Sequence, residues 1–269
     1  MDRRITPATE RVALNRLRGL LERPQWTDGT PARIAAPLAE LRAAPDGPRD
    51  RQLAFGADVT VIDAQGEHAF VQATADGYCG WVAAQDLTPD LPPLTHHVSA
   101  PATHLYPGPD FKLRELAALP INAGLSVAAI EGQFARLVQG GFVPLQHISD
   151  RPAADPAAVA LSLMGTPYLW GGNSRAGIDC SGLVQAALRA CAVACPGDAD
   201  LQEAAFAPVE TIRRGDLLFW KGHVAMAINQ TQIVHATAFA MAVIVEDIAH
   251  AIARIDAAGD GPFRGARRP

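Results

Sequence analysis

Cys180 stands in "GTPYLWGGNSRAGIDCSGLVQAALRA", Gly165 to Ala190, directly after a glycine-rich turn and directly before a run of helical periodicity. The thiolate is the nucleophilic form of cysteine, and at an ordinary pKa of about 8.5 only a few per cent of the thiol is ionised at neutral pH. A helix start favours the anion through its free backbone N–H groups and the positive end of its dipole, and a nearby imidazolium does the same. Two imidazoles are in prospect: His223 heads "HVAMAIN" and His235 lies in "IVHAT", 12 residues on. That interval holds one strand, a turn at "NQTQ" and most of a second strand, so a hairpin can set the rings side by side. One would exchange a proton with Cys180 and the other would orient its partner, the logic of a nucleophile, a base and an orienter. The expectation is an activated Cys180 thiolate with a lowered pKa.

The other reactive side chains read as packing. Cys191 and Cys195 are four residues apart, half of a metal site at most, and Pro196 ends any helix that would align them. Cys79, between Tyr78 and Gly80, fits a strand interior, and His96 and His97 follow the linker-like "LPPLT". Trp170 and Trp220 read as core or as pocket wall. No metal and no cofactor is expected.

The elements that must position Cys180 and the histidines are legible around them. Pro156 suits a first helical position, "AAVALSLMG" continues as an apolar helix to Gly165, and a second helix runs from Cys180 to about Ala194. Its apolar face is Leu183, Val184, Ala187 and Leu188, with Ser181 and Gly182 keeping the approach open and the glycines before Cys180 read as room for substrate. "GDLLFW", "HVAMAIN", "QIVHAT" and "AVIVEDI" are strands, so residues 151–269 read as an α+β domain. Upstream of the linker "SDRPAADP" the texture is short β-branched runs broken by Gly, Pro and Asp. It repeats: Ile34/Val98, Pro37/Pro101, Leu41/Leu105, Pro45/Pro109 and Phe70/Phe134 share an offset of 64, while "GADVTVI" fits "GLSVAAI" at 68. Two small β-modules are expected at 29–92 and 93–150, preceded by a helical segment at 1–28 in which Val12, Leu14, Leu17, Leu20 and Leu21 form a docking face.

The 269 residues carry a net charge of -5 with the basic residues scattered, which offers nucleic acid no strong electrostatic footprint. The charged N-terminus lacks an apolar signal core, no stretch approaches a membrane span of about 20 apolar residues, and four cysteines are too few for a disulfide scaffold. A cytoplasmic protein without nucleic-acid or membrane partners is the expectation.

The blocks "GTPYLWGG", "GIDCSGLVQ", "RRGDLLFW", "GHVAMAIN" and "IVHA" stand in an order and spacing that resembles the NlpC-type family of papain-like bacterial cell-wall peptidases, including a tyrosine 12 residues before the cysteine. The resemblance covers roughly residues 155–250, and the β-modules resemble tandem bacterial SH3-like barrels. It implies a papain-like domain with Cys180 as nucleophile, His223 as base and His235 as the third, polar member, with Tyr168 binding substrate or the oxyanion. Members carrying two SH3-like modules are γ-D-glutamyl-L-diamino acid endopeptidases of murein recycling, which act on small peptides with a free N-terminal L-Ala. By the same resemblance Asp179 and Ser181 contact the free amine, and a tyrosine of the first module, matched here by Tyr78, closes the site. The loop "CPGDADLQ" departs from the family in Gly197 and Ala199, which touches the detail of substrate contacts and not the triad. Two other outcomes fit the same residues: a wall-binding protein whose peptidase domain has lost turnover, and an amidase or acyltransferase on this fold.

Overall fold

Strand alternation governs the first half of the chain, and helices enter only after residue 150. The computed structural model describes residues 1–259 and 261–269, in two units, Met1–Asp150 and Arg151–Pro269. Among the described residues, no helix is long and apolar enough to cross a membrane.

In the first unit, a seven-stranded sheet runs in the order Arg49–Ala54, Leu38–Arg42, Cys79–Ala83, His68–Ala73, Asp58–Gln65, Thr30–Ile34, Leu87–Thr88, with every neighbour antiparallel. Its inner face packs Ile34, Leu41, Val71, Tyr78 and Val82 into one core. The segment expected as a docking helix is not one. Val12–Leu14 is a strand paired in parallel with Gln25–Thr27, followed by a 3-10 turn at Asn15–Leu17. The reason is tertiary: Val12, Ala13 and Leu14 are buried in succession, Val12 and Leu14 against Ile62, Phe70 and Trp81, while Leu20 on the supposed apolar face stays 63% exposed.

Residues 96–149 build a second set of short strands around Val98, Leu119, Leu125, Leu137 and Val143. Several of its backbone hydrogen bonds match bonds of the first module. Ile34 N–H donates to Ala57 O and Ile34 O accepts from Gly56, as Val98 does with Ala123 and Asn122. The N–H groups of Ala35 and Ala36 both reach Asp86 O, as those of Ser99 and Ala100 reach His147 O. Each module ends in a 3-10 turn, Ala84–Asp86 and Leu145–His147, leading into a two-residue strand. These pairs correct the register read from sequence: Gly56 corresponds to Asn122, and Phe134, paired with Pro144 before its turn, corresponds to His68, paired with Ala83, instead of to Phe70. Short length changes between the strands account for the slip.

The second unit is a six-stranded antiparallel sheet in the order Ala207–Val209, Gly265–Arg268, Leu217–Trp220, His223–Ala227, Gln232–Thr237, Ala242–Asp247. Among the described residues four helices accompany it: α1 (Pro156–Ser162), α2 (Cys180–Ala190), α3 (Ala199–Ala205) and α4 (Ile248–Ala257). Helix α1 carries proline in its first turn and is capped by Asp155, whose carboxylate accepts from Ala157 N–H. Helix α2 ends at Ala190, short of the expected residue 194, because Ala192 turns to φ 58°. It lies against strands His223–Ala227 and Gln232–Thr237. Helix α4 buries Ile248, Ala251 and Ile255 with Leu218, Trp220, Ala225 and Ile233 of the sheet.

Candidate active site

Cys180 is the first residue of α2, and the local sequence leaves little choice in where it sits. Asp179 is the N-cap: its Oδ1 accepts from Gly182 N–H at 2.7 Å and from Ser181 Oγ at 3.0 Å, and its Oδ2 from Gly171 N–H at 2.8 Å. One carboxylate thus ties the helix start to the glycine turn. A Cβ on Gly182 would collide with the Gly172 carbonyl, so backbone packs on backbone there. The expectation that Gly172 and Gly182 provide room for substrate therefore gives way to close packing.

The Cys180 sulfur points at the backbone on either side of His223. It lies 4.0 Å from the Gly222 carbonyl oxygen and receives the Val224 N–H, together with the N–H groups of Ser181 and Cys180 itself. His223 follows a tight turn with Gly222 at φ 71°, and its Nε2 is 2.9 Å from His235 Nδ1. The rings stand edge to face at 5.2 Å, as the hairpin spacing predicts. His223 is thereby left with Nδ1 as its unengaged nitrogen.

The protonation state departs from the sequence reading. Burial pushes the Cys180 thiol up to about 12, with the Asp179 carboxylate adding to the shift and outweighing the N–H groups aimed at the sulfur. Burial likewise pushes His223 down to about 3 and His235 down to about 4. Burial thus works against both an expected thiolate and an imidazolium partner, opposing what the helix terminus offers the anion.

Of the remaining expected residues, Tyr168 and Ser181 are in the same neighbourhood. Tyr168 bridges to Ile178, and its hydroxyl is raised above the usual tyrosine value by burial and then by Cys180 and Asp179. Burial also raises the Asp179 carboxyl against its three hydrogen bonds. Tyr78 belongs to the first unit, 1% exposed in the core of its β-module, with the Arg51 guanidinium 5.0 Å from the centre of its ring and Arg51 held by Asp76 at 2.6 Å.

Two residues escaped sequence reasoning. Gln202 on α3 is fully buried and donates from Nε2 to Ser181 O at 3.0 Å and to Pro196 O at 3.1 Å, strapping α3 to the start of α2. Glu246, on the strand beside His235, places Oε2 3.1 Å from His235 Nε2, off the line of a straight hydrogen bond, and is gripped by Arg254 at 2.7 and 2.9 Å. The signal for Glu246 was its register opposite strand Gln232–Thr237, which emerges only once that pairing is known.

Residues 165–255 match the NlpC/P60 family, and residues 41–87 match the bacterial dipeptidyl-peptidase Sh3 domain. A gamma-D-glutamyl-L-lysine dipeptidyl-peptidase of Bacillus subtilis is 31% identical over 213 residues, 69% of this chain and 71% of that protein. One of the same name from Bacillus cereus is 30% identical over 222 residues, 70% of this chain and 67% of that protein. The crystal structure of a NlpC/P60 family protein from Bacillus cereus shares the fold, with a TM-score of 0.75 at 22% identity over 89% of this chain and 99% of that one. Family match, extended identity and the position of Cys180 at the head of α2 agree. The chain belongs to the NlpC/P60 family of cysteine peptidases.

Proposed function

We propose that this peptidase hydrolyses the γ-D-glutamyl-diamino acid bond of short murein peptides that present a free N-terminal L-Ala, as a cytoplasmic step of peptidoglycan recycling. The observation that carries the reading is the extent of the likeness: identity to the gamma-D-glutamyl-L-lysine dipeptidyl-peptidase runs over 213 residues, more than the peptidase domain alone supplies. We read the second β-module as SH3-like too, on the backbone hydrogen bonds it shares with the first. The four free thiols, Cys79, Cys180, Cys191 and Cys195, suit a reducing compartment.

The reaction follows from the neutral pair. As the Cys180 sulfur attacks the γ-carbonyl carbon, its proton passes to His223, and the oxyanion is held by the Cys180 backbone N–H with the Tyr168 hydroxyl beside it. The departing diamino-acid amine takes the proton from His223, leaving a thioester on Cys180. Water, deprotonated by His223, then attacks the thioester, and the proton returns to the sulfur as the acid leaves. Asp179 and Ser181 bind the substrate ammonium: Asp179 keeps acceptor capacity beyond its three donors, and a charge-assisted bond to it selects a free amine.

Mass spectrometry of products from L-Ala-γ-D-Glu-diamino acid peptides tests this directly. Cleavage between the glutamyl and diamino-acid residues is expected, and N-acetylation should slow it by about 10–150-fold, the loss of one charge-assisted hydrogen bond. Equal rates on free and acetylated peptides would remove the amine contact from the reading, and cleavage at another bond would remove the substrate.

A further inference from the structure

The histidine pair does not end at His235. From His223 the line continues through His235 Nδ1, across that ring to Nε2, and on to the Glu246 carboxylate 3.1 Å away. Glu246 is itself fixed: Arg254 of α4 donates from Nε to Oε1 at 2.9 Å and from Nη2 to Oε2 at 2.7 Å, and Arg254 also lies 4.3 Å from the centre of the Phe239 ring. His250, exposed on the first turns of α4, places Nδ1 3.1 Å from Oε1. His235, Arg254 and His250 are thus the titratable or charged groups that face Glu246, and Arg254 holds its carboxyl below the usual range. A carboxylate bonded to Arg is an acceptor only, so hydrogen on the ring nitrogen 3.1 Å away is the tautomer its charge favours, although the contact lies off a straight hydrogen bond.

We propose that Glu246, clamped by Arg254, is a positioning residue that keeps the proton of neutral His235 on Nε2, so that His235 Nδ1 accepts from His223 Nε2–H and His223 Nδ1 is the nitrogen that receives the Cys180 proton. When that proton arrives, His223 becomes an imidazolium whose charge is shared along the line toward Glu246, and no second proton moves. The role rests on the reading of Cys180, His223 and His235 as the working groups. It assigns work to a side chain that touches neither substrate nor sulfur.

Glu246→Gln tests it, because a carboxamide can donate as well as accept and so no longer dictates the tautomer. The expected result is a kcat about 10–100-fold lower, by analogy with the loss of an outer partner that orients a metal-bound histidine, with KM within about twofold. Losing the negative charge also disfavours the imidazolium, so the acid limb of kcat/KM moves to lower pH, a change that simple loss of folded protein would not produce. A wild-type kcat with an unmoved acid limb overturns the proposal. The ¹⁵N shifts of the His235 ring in the unmutated enzyme supply a readout independent of the variant's folding. Hydrogen on Nε2 supports the role, and hydrogen on Nδ1 overturns it. Cys180→Ala assayed beside E246Q separates the two levels: an active C180A removes the nucleophile itself, whereas an inactive C180A with a wild-type-like E246Q removes only the part assigned to Glu246.

Discussion

Cys79 and Cys180 are both buried, and burial pushes both thiols up to about 12. Cys79 begins the strand Cys79–Ala83 of the first β-module, where its sulfur donates to Gly77 O at 3.4 Å and receives Gln72 Nε2 at 3.6 Å. Cys180 opens α2 beside the His223–His235 pair. Resting acidity does not tell these sulfurs apart. What separates them is a helix start with N–H groups aimed at the sulfur, and the backbone on either side of His223 against it. On the proposed function, reactivity at Cys180 belongs to these surroundings in the act of attack.

The sharpest way to break this contrast is to remove each sulfur in turn. Cys180→Ala should abolish turnover of the defined peptides while its melting temperature stays near that of the wild type, and measurable wild-type-like cleavage would end the assignment. His235→Ala should lower kcat by about 10²–10⁴, the range expected when a general base loses its orienter, read from steady-state rates at saturating peptide.

The protonation state gives a pH test of the same contrast. His223 and His235 are held below the ordinary histidine value of about 6.5, so the acid limb of kcat/KM should lie below that value. The folded state disfavours their protonated forms. Their contribution to stability is therefore complete above the unfolded pKa and is lost as pH falls through about 4 for His235 and about 3 for His223. Urea midpoints measured from neutral to acid pH should fall across that window, and an acid limb at or above the free histidine value would contradict the buried neutral pair.

Smaller effects sharpen the picture. Asp179→Ala removes the N-cap of α2 and should cost about 0.5–2 kcal/mol of stability, seen by denaturant unfolding, together with activity on free-amine peptides. Cys79→Ala should leave kcat within about twofold and cost about 1 kcal/mol, an ordinary core truncation. A large rate loss there would mean that Cys79 is more than packing.

Much of the site was legible because its signals are local. A cysteine after a glycine-rich turn and ahead of helical periodicity marks a helix start, and two strands joined by "NQTQ" bring His223 and His235 together by pairing alone. The N-terminal strand was not legible: Val12, Leu14 and Leu17 fit a helical spacing, and the pairing with Gln25–Thr27 and the contacts with Ile62, Phe70 and Trp81 override it. The repeat was visible in its prolines and aliphatic residues, yet its register slipped because the modules differ in length between strands, which hydrogen bonds reveal and residue offsets do not.

By itself the sequence determined which groups could react and the order in which the chain delivers them: Cys180 at a helix start, His223 at a strand start, and His235 one hairpin away. Tertiary structure decided how those groups rest and what stands behind them. Burial is summed over neighbours far apart in the chain, so the upward push on the thiol and the downward push on the imidazoles follow from packing around α2 and the sheet. Glu246 and Arg254 reach His235 only because strand Ala242–Asp247 pairs beside it and α4 turns back with its guanidinium, a convergence that no local pattern encodes.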